Sequence, residues 1–112
     1  MRESVRCAAA AAMFVAGWYL LAPPMYESYT ARRQLISVRA YPELPLSAWD
    51  RFGLYPTRER CERQRHVDFD DTLKAGPGTD TRQQALWESS GHALCVRADD
   101  PRLRAPSAAA GR

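Results

Sequence analysis

The longest uninterrupted apolar stretch runs from Cys7 to Ala22, 16 residues without a charged side chain, bracketed by Arg2 and Arg6 on one side and Pro23-Pro24 on the other. A basic flank, an apolar core and a helix-breaking pair form the pattern of a segment fed into a membrane during export. As a helix the stretch spans roughly 24 Å against roughly 30 Å of bilayer hydrocarbon. That is short for an anchor, yet long for the apolar part of a cleaved signal, which is about 7 to 15 residues. Trp18 and Tyr19 suit the outer interface of a retained helix, so retention is the favoured expectation. The alternative is cleavage before Trp18, where Val15-Ala16-Gly17 sets small residues one and three positions ahead of the cut. Cys7 precedes the apolar core, which excludes a lipoprotein signal. Residues 1–24 are thus read as a signal peptide or signal-anchor helix.

Beyond the Pro pair the pattern breaks into short elements. Residues 25–45 read as a tether or loop, with Tyr26 and Tyr29 near lipid headgroups and a candidate strand at 34–39, Gln-Leu-Ile-Ser-Val-Arg, before Pro42 and Pro45. Leu46 to Tyr55 is aromatic and β-prone, with Gly53 marking a candidate bulge and Pro56 ending the strand. Thr57 caps a helix expected to reach about His66, supported by Glu59–Arg63 and Arg58–Glu62 pairs four residues apart. That helix is charged nearly all round, and Cys61 is its main apolar handle. Lys74 to Gly78 forms a loop, and Thr81 with Gln84 makes a capping box for a short helix that Gly91 stops. Residues 92–98 form a second strand, Asp100-Pro101 starts a single helical turn, and 105–112 is a frayed tail.

These elements predict a small α+β domain over residues 46–104. Two or three antiparallel strands, 46–55, 92–98 and 34–39, would lie under the helix from 57, with the apolar N-terminal helix standing apart. About 90 residues outside the membrane segment leave room for one thin core. The net charge of +3 is too small to argue for nucleic acid. All but Lys74 of the 16 basic residues are arginine, a bias that base composition alone produces, so it is not read as phosphate binding.

The cysteines carry the strongest chemical inference. Cys61 and Cys95 are the only two beyond the membrane segment, and an even pair in a small exported domain is expected to be a disulfide. Closing that loop removes roughly 3 to 4 kcal/mol of unfolded-state entropy, large beside the roughly 5 to 15 kcal/mol stability of a whole domain. The competing use of the same residues is a zinc site of Cys61, His66, His92 and Cys95, although their spacing fits no common finger. His66-Val67-Asp68-Phe69-Asp70-Asp71 gathers an imidazole and three carboxylates, and Ser89-Ser90-Gly91-His92 sets hydroxyls beside another imidazole. The first is more simply a solvated face, the second the fraying end of a helix. Trp49, Phe52, Tyr55 and Trp87 are read as core, and no catalytic residue or cofactor is assigned.

Laid out in order, Trp18 to Pro24 (Trp-Tyr-Leu-Leu-Ala-Pro-Pro), Pro45 to Trp49, Cys61, Cys95 and Asp99 to Leu103 (Asp-Asp-Pro-Arg-Leu) resemble a family of short uncharacterised bacterial proteins with an N-terminal membrane segment. The resemblance implies export and the cysteine pair, and brings no activity or ligand with it. The leading expectation is a non-enzymatic interaction or accessory domain at the outer face of the inner membrane. It would be single-pass, or periplasmic after cleavage, with a protein partner. The alternative is a small metal-binding or metal-dependent hydrolytic protein using His66 and His92.

Overall fold

The computed structural model describes residues 17–104. Within it Trp18–Ala22 is a strand, β1, and not the end of a helix. The other elements are β2 (Met25–Tyr29), β3 (Leu35–Ala40), β4 (Asp50–Tyr55), α1 (Arg58–Ala75), α2 (Thr81–His92) and β5 (Leu94–Arg97), with 3-10 turns at Leu46–Ala48 and Pro101–Leu103. The architecture is α+β, as expected, but its strands fall into two antiparallel sheets: β4-β1-β5 and the hairpin β2-β3.

β1 is the middle strand of the larger sheet. Trp18 faces Tyr55 on one side and Arg97 on the other, and Leu20 faces Gly53 and Cys95. Alternation along β1 sends its side chains to two separate cores. Leu20 and Ala22 pack with Cys61, Phe69 and Ala93, and Trp18 packs against that cluster. Leu21 packs on the opposite face with Trp49, Val96 and Leu103. Leu20, Leu21 and Ala22 are fully buried. A strand paired on both edges and covered on both faces needs an unbroken apolar run, and such a run cannot be told from the end of a membrane segment by hydropathy. The expected apolar helix is therefore corrected over residues 18–22, while residues 1–16 lie outside the described residues. Among the described residues no helix is long and apolar enough to cross a membrane.

The expected tether is the β2-β3 hairpin. Val38 and Ala40 are buried on the side that packs on α2, and Arg82 of α2 reaches Glu27 of β2 at 2.8 Å. The strand expected from residue 46 starts four residues later. Leu46–Ala48 instead makes a 3-10 turn, and the Trp49 Nε1–H donates to the Leu44 carbonyl at 2.9 Å. A bulge does occur beside Gly53: Leu20 pairs with Gly53 but Leu21 with Arg51, leaving Phe52 as the extra residue. The Tyr55 ring folds back over Gly53 so closely that a Cβ there would stand 2.5 Å from the phenol oxygen.

Thr57 caps α1 as predicted, its hydroxyl accepting from the Arg60 N–H. The helix continues nine residues past His66, because nothing before Gly76, at φ 80°, breaks it. That extension brings Phe69 round to the Cys61 side, a second apolar handle. α2 begins one residue earlier than the capping box implies, with Asp80 as the cap, and it runs through Gly91. Ser89 and Ser90 are buried and not fraying: the Ser89 hydroxyl donates to the Pro23 carbonyl at 2.8 Å, tying α2 to the end of β1. Of the four aromatics read as core, Trp49 is buried and Tyr55 half-buried, whereas Phe52 and Trp87 are exposed.

Leu20→Ala is expected to destabilise the domain by about 3 kcal/mol, because the two-sided packing prevents collapse around the void. Ser89→Ala is expected to cost about 1 to 2 kcal/mol by leaving the Pro23 carbonyl unpaired in the interior. Urea unfolding followed by tryptophan fluorescence measures both.

Candidate functional site

The one covalent constraint joins the helix to the sheet. Cys61 lies one turn into α1 and Cys95 sits in β5 opposite Leu20; the two are bonded with Cα atoms 6.1 Å apart. Cys61 is fully buried, whereas Cys95 is half-buried and reaches a surface cleft. The predicted disulfide is thus present, and both sulfurs are used in it, so they are not available as zinc ligands.

The two histidines stand on different helices. His66 Nδ1 lies 3.2 Å from an Asp70 carboxylate oxygen on the exposed side of α1, and Asp68 accepts from Gln64 Nε2 at 2.8 Å. His92 ends α2, where it lines a small cleft of about 170 Å³ with Trp87 and Leu73. Among the described residues no three His, Cys, Asp or Glu side chains gather as a metal site would require. The Asp-rich stretch is helix surface, and Ser89 and Ser90 are interior packing.

The helix-surface ion pairs also differ from those expected. Glu62 pairs with Arg65 at 2.7 Å and leaves Arg58, whose guanidinium lies 5.6 Å from the Trp18 ring centroid. An exposed arginine gains more from an aromatic face than from a carboxylate at the less favourable spacing.

A surface cleft of about 480 Å³ is walled by Trp18, Cys95, Arg97, Asp99, Asp100 and Arg102. Its charged groups are closed on one another. Arg97 reaches Asp99 at 3.2 Å, and Arg102 grips Asp100 with two guanidinium nitrogens while its backbone N–H donates to the same carboxylate. The Arg102 hydrogen bonds hold the Asp100 carboxyl below the usual carboxylate range and raise the guanidinium in return. A carboxylate so engaged is a poor proton acceptor. The arrangement caps the Pro101–Leu103 turn, whose Leu103 side chain plugs the second core.

The most prominent feature not anticipated is on the hairpin. Tyr26, Tyr29, Leu35 and Ile36 are about half exposed, Tyr26 stacks tilted on Tyr41 at 5.4 Å, and Arg39 sits 4.9 Å from the Tyr41 ring centroid. The signal was present: two β-prone runs flank Thr-Ala-Arg-Arg-Gln, a polar five-residue loop of hairpin length. No family model, no curated protein and no solved structure matches the chain.

Removing the bridge with Cys61→Ala/Cys95→Ala is expected to lower stability by about 3 to 4 kcal/mol in the chain-entropy account, read from urea midpoints with and without reductant. The Asp100 carboxyl is expected to titrate below the ordinary aspartate value of about 3.9 in an NMR titration, and Arg102→Gln to raise it part of the way back, because the backbone N–H of residue 102 still donates to it. Because its folded value is depressed, the stabilisation from Asp100 is present above the unfolded value and is lost as pH falls through the folded one.

Proposed function

We propose that the chain is exported, cut between Gly17 and Trp18, and acts outside the cytoplasm as a disulfide-clamped, non-enzymatic interaction domain. The observation carrying this reading is the burial of β1 between β4 and β5. If Trp18–Ala22 belongs to the sheet, the apolar residues left for an anchor are 7–17, which as a helix extend only about 16 Å against roughly 30 Å of hydrocarbon. A stretch of that length is within the range of a removable signal. Cutting there forfeits the hydrogen bond from the Ala98 N–H to the Gly17 carbonyl, 2.9 Å long and worth about 1 kcal/mol, a small loss beside the burial of Leu20 and Leu21. The Cys61–Cys95 bond supports an oxidising destination, where such bonds persist. The exposed aromatic and aliphatic side chains of the hairpin support contact with a partner as the domain's work.

The test is the mass and location of the protein recovered from an exporting bacterium. A mature chain starting at Trp18, lighter by two hydrogens than its reduced form and released from membranes by alkaline carbonate, is the expected result. An intact N-terminus in carbonate-resistant membranes would show a retained anchor and overturn the cleavage.

A further inference from the structure

The tip of the β2-β3 hairpin combines, on one turn, exposed apolar side chains with cations that are unpaired among the described residues. Every residue from Tyr29 to Ile36 is exposed. Within or beside this stretch lie four large apolar or aromatic side chains, Tyr26, Tyr29, Leu35 and Ile36, and between the strands lie Arg32 and Arg33. Neither arginine has a carboxylate within 4.0 Å among the described residues. The one acid of the two strands, Glu27, is engaged by Arg82 and by the Tyr29 hydroxyl. The tip is therefore positive and apolar at once.

Two further details bear on what it meets. Arg33 has φ 61°, the left-handed conformation that Gly or Asn fills at lower cost, so a long cation occupies the turn position least suited to it. The hairpin is also braced from behind: Val38 and Ala40 are buried on the side that packs on α2, so the tip is presented by a supported ribbon. Phenol rings, branched aliphatics and guanidiniums on one exposed turn match the layers of a lipid surface, where apolar side chains enter the acyl boundary and arginines meet anionic headgroups.

We propose that the β2-β3 tip docks the exported domain on an anionic lipid surface, with Leu35, Ile36 and Tyr29 inserting and Arg32 and Arg33 holding phosphate headgroups. This rests on the reading of the chain as an exported interaction domain and names its partner. Once the N-terminal signal is removed, the tip supplies a reversible membrane contact in place of an anchor. Two basic residues and a few half-inserted apolar groups give weak, salt-sensitive attachment.

Hydrogen exchange on the protein as recovered from the exporting cell, whichever N-terminus it carries, tests this locally. The probes are vesicles of 30% phosphatidylglycerol in phosphatidylcholine, vesicles of pure phosphatidylcholine, and soluble glycerol phosphate. The expected result is slowed exchange of the amides of residues 30–36 with the anionic vesicles only, with the α1 amides unchanged. Arg32→Gln/Arg33→Gln should weaken the vesicle dependence by about twenty-five-fold, from roughly fivefold per charge. Arg60→Gln/Arg63→Gln, an equal change of charge on α1, should leave it intact. A second variant, Ile36→Ser, should weaken binding while keeping its salt dependence, and circular dichroism confirms that each variant folds. No slowing with any vesicle overturns the proposal, as does equal slowing with neutral vesicles. Equal slowing by glycerol phosphate would replace it with a soluble-anion site, and slowing only in the presence of an added envelope protein would replace it with a protein partner. These outcomes are independent of where the N-terminus is cut.

Discussion

A strand hydrogen-bonded along both edges and packed on both faces has no surface left for lipid, and in this chain that strand is the end of the apolar run that begins at Cys7. Trp18–Ala22 cannot lie in a bilayer and in the β4-β1-β5 sheet at once. The long-range relations of the main sheet descend from its claim on these residues. Leu20 faces the helical side, Leu21 faces the side closed by Trp49 and Leu103, and Pro23 supplies the carbonyl that fixes α2 through Ser89.

The same strand explains why the disulfide has so much to hold. α1 is an unusually polar helix whose packing against the sheet depends on Cys61 and Phe69, two turns apart on one face. A helix with a narrow apolar stripe gains little from burial, and its solvated arginines and aspartates add little more. The bond to Cys95, directly opposite Leu20, pins that stripe over the middle of the sheet. Phe52, pushed out by the bulge beside Gly53, then meets Phe69 edge-on at 5.3 Å and covers it from the solvent side.

Where a local rule acted alone, the sequence was readable. Thr57 at the start of α1, Asp100-Pro101 at the last turn, the β5 region and the cysteine pair were all legible from adjacent residues or from simple counting. Reading failed where tertiary context chose between equal local options. The apolar run ending at Ala22 suits a membrane helix and a doubly covered strand alike, and only the arrival of β4 and β5 decides. Ser89 and Ser90 suit a fraying helix end, but the arrival of the Pro23 carbonyl buries the turn that carries them. Glu59 and Glu62 each had a suitable arginine four residues away, yet Trp18 drew Arg58 aside and Glu62 turned to Arg65. Half of the hairpin is legible, since the candidate strand at 34–39 is β3 within one residue at each end, whereas β2 is exposed at every position and shows no alternation to read.

The sheet register sets the order in which the domain can form. β1 is among the earliest parts of the described chain to be made, yet Trp18 must wait for Arg97, almost the whole described length away, before its second edge is paired. Contacts of such long separation are slow to close, because the intervening loop entropy is lost before they form. The central strand therefore completes its pairing only after nearly the last strand of the described chain has been synthesised. Under the proposed export, that late-forming centre is what would keep the chain threadable through a narrow channel.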